Sequence, residues 1–295
     1  MSFSGDDFIL TLFTNAPELA RRADCAGINR IGLDLEKIGK GERQDAKMCW
    51  VSDHKAHELH AIRRSLKKSK LFARTNPIHS GSRGEIAGLI DAGVEVLMLP
   101  MFKTVAEAAL FIKLVDRRAT VSLLLETAAA AARVDELVRL EGIDEIHVGL
   151  NDLHLSLGID SHFELLTSSI MDWLSQTVRD AGIPFGFGGV GRLDDDRLPI
   201  PADLLYAQYP RLHADRALVS RVFVSPDYRA LDLPAEVALF RSRINHWFDS
   251  PPEALAEARR DLRQRVARLS SGHAENGPAT AAGRHFRTSS CLRFR

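Results

Sequence analysis

The feature that most constrains the fold of this chain is an alternation of short apolar runs with longer helical patterns, repeated eight times. The apolar runs are rich in Ile, Leu, Val and Phe, which is typical of strands buried in a parallel sheet. Strands that alternate with helices indicate βα units rather than hairpins, and eight such units close a barrel. The sequence therefore predicts an α/β fold, a (β/α)8 TIM barrel with additional C-terminal helices.

The predicted elements follow one another at the spacing that this fold requires. Strands are expected at residues 8–13, 30–35, 71–75, 94–100, 120–126, 145–149, 184–188 and 216–223. The clearest helical patterns span residues 54–68, 82–92, 105–116, 127–140 and 162–181. Gly93 and Gly182 stand where a glycine would end a helix.

Composition divides the chain into three regions. Residues 1–230 are expected to form the catalytic barrel domain. Residues 231–269 are expected to form a helical extension of two helices, 233–246 and 252–269, and the second helix has a proline in its first turn. From Ser270 onward apolar residues are few, so we predict a disordered tail over residues 270–295.

The charge balance argues against large anionic partners. Lys plus Arg and Asp plus Glu both number 39, so the formal net charge is zero, and the sequence gives no electrostatic case for nucleic acid or a membrane surface. Three cysteines without metal-ligand spacing favour a reduced, cytoplasmic setting, and no apolar stretch approaches the length of a membrane span. We therefore expect chemistry on a small molecule.

Two carboxylates lie just past predicted neighbouring strands. Glu126 follows the fifth strand and Asp152 follows the sixth. At the mouth of a parallel barrel they would lie close together, and paired carboxylates suit a hard divalent cation that keeps open positions for water or substrate. Each residue taken alone could instead be a helix N-cap or a charge on the rim.

Other strand ends are also polar. The second predicted strand ends at Asp34 and Glu36, and the third ends at Arg74, close to Asn76. An arginine, several carboxylates and glycine turns with free backbone N–H groups indicate a site for a small acid held on a cation. Arg74 could equally form a structural ion pair with Glu36 or Asp34, and the two interpretations are compatible.

At these positions the sequence resembles the HpcH/HpaI class II pyruvate aldolases, within the aldolase/citrate lyase superfamily. The resemblance runs from about residue 28 to residue 223. It rests on seven short motifs in a fixed order: Asp-x-Glu at 34–36, Arg-x-Asn-Pro at 74–77, Leu-Ile-Asp-Ala-Gly at 89–93, Met-Leu-Pro at 98–100, Leu-Glu-Thr at 125–127, Gly-x-x-Asp-Leu at 149–153 and Ser-Leu-Gly at 156–158. Each is weak alone, and their order makes the signature fairly specific.

The resemblance implies a metal-dependent carbon–carbon lyase, an aldolase that cleaves or forms a 2-oxo acid through a pyruvate-type enolate. In the family, the residues matching Glu126 and Asp152 hold Mg²⁺ or Mn²⁺, on which the 2-oxo acid chelates. The residue matching Arg74 stands beside the developing oxyanion. Backbone N–H groups around Gly149, Asn151 and Asp152 would bind the substrate carboxylate.

One departure concerns proton transfer. In the aldolases the Asp-x-Glu is followed by a histidine that acts together with the aspartate matching Asp91, whereas this chain has Lys37 there. A lysine with an ordinary pKa is a poor base at neutral pH. The substitutes are His79, His54 or a metal-bound water.

Two alternative functions stay open. The first is a citrate lyase β-like or malyl-type lyase or condensing enzyme, with or without a thioester substrate. The second is an inactive barrel that serves as a binding or regulatory subunit. The family commonly completes its active sites across subunits, and the helices after the barrel suit an interface, so we expect a homo-oligomer.

Overall fold

The computed structural model describes residues 5–39, 52–224 and 227–274. Eight parallel strands close into one barrel in sequence order, each paired with its neighbours and β8 paired with β1. The strands are β1 Ile9–Phe13, β2 Arg30–Asp34, β3 Lys70–Arg74, β4 Val96–Leu99, β5 Thr120–Leu125, β6 Glu145–Val148, β7 Phe185–Phe187 and β8 Arg216–Leu218. The predicted (β/α)8 barrel is confirmed.

Helices follow the strands around the outside of the barrel. They are α1 Pro17–Ala26, α2 Leu59–Ser65, α3 Ser82–Asp91, α4 Val105–Val115, α5 Ala128–Ala131, α6 Val134–Leu137, α7 Leu150–Leu157, α8 His162–Thr167, α9 Ser169–Asp180, α10 Ala202–Tyr206, α11 Gln208–Arg211, α12 Arg221–Val224, α13 Leu233–Phe248 and α14 Pro252–Ala274. A short 3-10 helix, Ala56–Glu58, precedes α2. In the part of the chain that the structure describes, no helix is long and apolar enough to cross a membrane.

Three predicted elements differ from the observed ones. The helix predicted over 127–140 is two short helices, and the helix over 162–181 is divided at Ser168, whose extended backbone and hydroxyl cap begin a new helix. The eighth strand stops at Leu218 rather than at residue 223. Its last predicted residues turn into α12, which places Phe223 in the core instead of the sheet.

Side chains inside the barrel form an apolar layer below the mouth. Phe72, Val96, Met98 and Leu124 pack together there, with Phe13 and Leu218 against them. The larger apolar cluster lies between the barrel and its surrounding helices. Because side chains alternate along each strand, residues two positions before or after the members of the inner layer also face the barrel interior.

The C-terminal helices pack against the barrel's outer helices. Helix α13 lies on α1 and α10, and α14 lies on α8 and α11. An ion pair between Arg243 and Asp203 joins α13 to α10, and Arg259 of α14 donates to the carbonyl of Thr167 at 2.8 Å. Helix α14 continues to Ala274, past Ser270, where the predicted tail begins. Residues 275–295 lie outside the described residues.

Candidate active site

Five of the sequence-predicted site residues meet at the mouth of the barrel. Asp34 ends β2, Arg74 ends β3, Glu126 directly follows β5, and Asp152 lies in the first turn of α7. Glu36 follows β2 and turns back towards Arg74. Parallel strands deliver all of these positions to the same end of the barrel, as the sequence predicted.

Arg74 is held by two carboxylates and a ring. Its Nε donates to Asp34 Oδ1 at 2.9 Å and its Nη2 to Asp34 Oδ2 at 2.8 Å, while Glu36 Oε2 lies 3.4 Å from Nη2. The Phe13 ring centroid is 5.4 Å from the guanidinium carbon. Burial lowers the pKa of Arg74, but the charge and hydrogen bonds of Asp34, with the charge of Glu36, outweigh burial and raise that pKa. The guanidinium is therefore fixed and charged.

Glu126 is a buried carboxylate with few stabilising contacts. Its side chain lies under the mouth, and Oε1 accepts a hydrogen bond from the Met101 backbone N–H at 2.9 Å. Burial, together with the charges of Asp152 and Glu36, raises the pKa of Glu126 to about 8, although the charge of Arg74 acts in the opposite direction. A cation at this point would favour the ionised form.

Gly149 makes room for Glu126. A Cβ on Gly149 would stand 2.5 Å from Glu126 Oε2 and 2.8 Å from Glu126 Cβ, so no side chain fits between β6 and this carboxylate. The Gly149 N–H donates to the Leu125 carbonyl at 3.1 Å and is already used. Asn151 and Asp152 follow in the first turn of α7, where backbone N–H groups lack partners within the helix.

Neither Glu126 nor Asp152 caps a helix. The N-cap of α5 is Thr127, whose hydroxyl accepts from the Ala130 N–H, and the N-cap of α7 is Gly149. The alternative explanation of these carboxylates as helix caps is therefore wrong. Their placement is better explained by the charge cluster that they form with Arg74.

The donor set fits a hard divalent cation. Asp34, Glu36 and Glu126 lie near the guanidinium of Arg74, Asp152 lies near Glu126, and a bound cation would favour the ionised form of Glu126. Among residues 5–39, 52–224 and 227–274, no three His, Cys, Asp or Glu side chains form a ready metal site. The protein would thus supply Glu126 and Asp152, and water or substrate oxygens would complete the coordination.

His79 is bound within its own loop. Its Nε2 lies 2.9 Å from Glu85 Oε2, and its Nδ1 accepts from the Gly81 N–H at 3.0 Å. Glu85 Oε1 in turn accepts hydrogen bonds from the backbone N–H and from the side-chain amide of Asn76. Asn76 Oδ1 accepts the Lys37 backbone N–H at 2.9 Å. This chain of contacts ties together the loops after β2 and β3, and it gives His79 a structural role.

The other predicted proton-transfer residues occupy different places. His54 Nδ1 accepts the Asp34 backbone N–H at 3.0 Å and so supports the end of β2. The Lys37 side chain is about half exposed, 4.0 Å from Asp53. Asp91 is exposed at the last residue of α3, the end of the helix that lies away from the mouth. Within one chain, Asp91 is not brought to the site.

A cleft of about 700 Å³ opens beside the mouth, between α3 and the segment that begins α2. Leu35, Leu59 and Leu89 form its apolar floor, while Lys37 and Asn76 line the end nearest the mouth. The cleft adjoins the loops that carry Glu36 and Arg74.

Two contributors were missed by the sequence reasoning. The Met101 N–H binds Glu126, and Met101 has a positive φ of 54°, which is unusual outside glycine. Phe13 supports Arg74 from β1. A backbone donor has no residue signature, and Phe13 is indistinguishable in sequence from any core aromatic residue.

Comparison with known proteins gives a family and a fold. The sequence model of the HpcH/HpaI aldolase/citrate lyase family matches residues 8–187. No curated protein matches the sequence. An HpcH/HpaI aldolase from Desulfitobacterium hafniense DCB-2 aligns with a TM-score of 0.57 and 14% identity, over 84% of this chain and 95% of that one.

Two further solved structures have the same TM-score. One is an HpcH/HpaI aldolase/citrate lyase family protein from Burkholderia cenocepacia J2315, 16% identical, over 82% of this chain and 95% of that one. The other is the citrate synthase SbnG, 16% identical, over 81% of this chain and 95% of that one. At these identities the likeness establishes the shared barrel.

Proposed function

This chain belongs to the HpcH/HpaI aldolase/citrate lyase family, and on that basis we propose that it is a class II aldolase that cleaves or forms a 2-oxo acid. The observation that carries the proposal is the cluster of Asp34, Arg74 and Glu126 at the mouth, with Asp152 beside it. A fixed guanidinium next to a cation-seeking pair of carboxylates suits a substrate whose negative charge increases during the reaction.

Glu126 and Asp152 would hold a divalent ion, Mg²⁺ or Mn²⁺. When bound, such an ion supplies Lewis-acid stabilisation of a pyruvate-type enolate oxygen. Arg74 supplies a second positive charge, and its two hydrogen bonds to Asp34 fix the direction of the guanidinium plane before substrate binds. Backbone N–H groups at Asn151 and Asp152, in the first turn of α7, would bind the substrate carboxylate.

The second reactant needs space next to the enolate. The cleft bordered by Lys37 and Asn76 supplies it, because it adjoins the mouth at the loops that hold Arg74. Leucine side chains and polar side chains line it together, so it suits a carbonyl compound that carries both apolar and polar groups.

A condensing enzyme is the second candidate. One solved barrel of equal similarity is a citrate synthase, so the shared fold accommodates both cleavage and condensation chemistry. We also propose that the chain forms a homo-oligomer, because the exposed Asp91 could then reach a neighbouring barrel rather than its own.

The aldolase proposal is tested by using NMR to monitor exchange of the C3 protons of pyruvate for deuterium, with and without Mn²⁺. We expect exchange that requires Mn²⁺ and is lost in Glu126→Gln. Glu136→Gln changes an exposed carboxylate of α6 in the same way and should behave like wild type. Exchange at the wild-type rate in Glu126→Gln would overturn the metal assignment, and metal-dependent condensation without exchange would favour the second candidate.

A further inference from the structure

Beneath the apolar layer, the barrel interior holds a second polar cluster that the proposed reaction does not use. Its centre is Glu145, the first residue of β6, whose side chain is fully buried. Arg30 Nη1 donates to Glu145 Oε1 at 2.6 Å, and Arg216 donates to Oε2. Since β2 and β6 lie on opposite sides of the closed barrel, the contact with Arg30 crosses the interior.

Three more side chains of this interior make no hydrogen bond within the described residues. They are the hydroxyls of Thr11 and Ser122 and both ring nitrogens of His147. Each side chain is at most 1% exposed. Thr11 lies two residues before Phe13, and Ser122 two before Leu124, so both hydroxyls face the same interior as the apolar layer above them.

Strand register places these groups around the ion pair. Ser122 stands opposite Glu145 on the neighbouring strand, and His147 lies two residues further along β6. Thr11 stands opposite Arg30 on the other side of the barrel. The unpartnered groups therefore surround the contact between Arg30 and Glu145.

Gly186 keeps this region of the interior open. A Cβ there would stand 2.3 Å from Arg216 Cγ and 2.8 Å from His147 Cε1, so both side chains lie over the glycine on β7. His147 Nε2 reaches only to 3.5 Å from Glu145. This long contact is the ring's link to the ion pair, and through it Glu145 opposes the lowering of the His147 pKa.

Buried polar groups in native proteins are almost always satisfied, and internal water satisfies those that the chain does not. Burial lowers the pKa of His147, so at neutral pH its ring is uncharged, with one donor and one acceptor nitrogen. The ring nitrogens, the Ser122 hydroxyl on the neighbouring strand and the Thr11 hydroxyl across the interior together offer the two to four partners that a buried water needs.

We propose that this part of the barrel interior is an internal hydration site, in which ordered water bridges His147, Ser122 and Thr11. The charge balance of this cluster favours a neutral ligand. Arg30 and Arg216 are matched by Glu145 and by Asp215, whose Oδ1 lies 2.6 Å from Arg216 Nε. A bound anion or cation would leave one charge uncompensated in a buried space.

A crystal structure that resolves water molecules tests the site directly. We expect density within about 3.2 Å of a His147 ring nitrogen and of the Ser122 hydroxyl. Water-proton relaxation dispersion in solution should show a long-lived internal water whose signal falls in the Thr11→Val/Ser122→Ala double variant. An interior without such density, or a dispersion signal that the double variant leaves unchanged, would overturn the proposal.

Ser175→Ala is the matched control. Its hydroxyl is also buried but lies on α9 and donates to the Asp172 carbonyl at 3.1 Å, so its removal should leave the dispersion signal unchanged. Denaturant titration adds a second measurement that does not depend on water being visible. Thr11→Val should lower or preserve the unfolding midpoint, because in a hydrated site the hydroxyl has water as its hydrogen-bond partner. A raised midpoint would mean that the hydroxyl is buried dry, which contradicts hydration.

Discussion

Replacing Gly149 with alanine should disturb the site through a contact that side-chain rotation cannot relieve. The added Cβ would stand 2.5 Å from Glu126 Oε2 and 2.8 Å from Glu126 Cβ. Rotating the Glu126 carboxylate relieves the first contact. The second joins two atoms fixed to their backbones, and real Cβ atoms essentially never show contacts below 3.0 Å, so the end of β5 or β6 must shift by several tenths of an ångström.

Overpacking of this kind typically costs about 1–3 kcal/mol of unfolding free energy. A displaced ligand should also weaken Mn²⁺ binding, and a misplacement of roughly 1 Å is enough to reduce turnover about a hundredfold. Denaturant titration measures the first effect, and calorimetric titration with Mn²⁺ measures the second.

Gly88→Ala is the matched control, because a Cβ in the middle of α3 meets nothing within 4 Å. It should keep Mn²⁺ affinity and gain stability of about 0.4–1 kcal/mol. If Gly149→Ala matched Gly88→Ala in both measurements, the close packing of Gly149 against Glu126 would not constrain the site.

Three further predictions concern single residues. Arg74→Lys should lose about tenfold to a thousandfold in turnover, because an ammonium cannot reproduce the two-pronged contact with Asp34, and wild-type exchange rates would refute this. Met101→Gly should keep Mn²⁺ affinity, because its N–H to Glu126 remains and glycine accepts the positive φ, whereas a tenfold loss would show that the side chain matters. Since the folded state lowers the pKa of His147, the unfolded state takes up that proton first, and stability should fall as pH drops below about 6.5. His147→Asn should flatten that part of the urea-midpoint profile, and parallel profiles would remove His147 as the cause.

The barrel and the outline of its mouth were predictable from sequence because both depend on local patterns. Each apolar run marks a strand, and polar residues such as Arg74 and Glu126 directly follow the runs. The partners of His79 were not predictable, because its contact with Glu85 depends on how one loop folds back on its helix. The ion pair between Arg30 and Glu145 was also missed, because it joins strand starts far apart in sequence and only barrel closure brings them together.

The order of layers inside the barrel bears on the cation that we propose at the mouth. Phe72, Met98 and their apolar neighbours lie between the charged mouth and the Glu145 ion pairs, so this layer offers Glu126 no countercharge from below. In this low-dielectric position the ionised form of Glu126 needs positive charge from Arg74 or from whatever binds at the mouth, and without enough of it the group keeps its proton. Arg74 is already shared among Asp34 and Glu36. A cation that enters through the open end of the barrel would therefore favour the ionised form of Glu126, which otherwise keeps its proton at neutral pH.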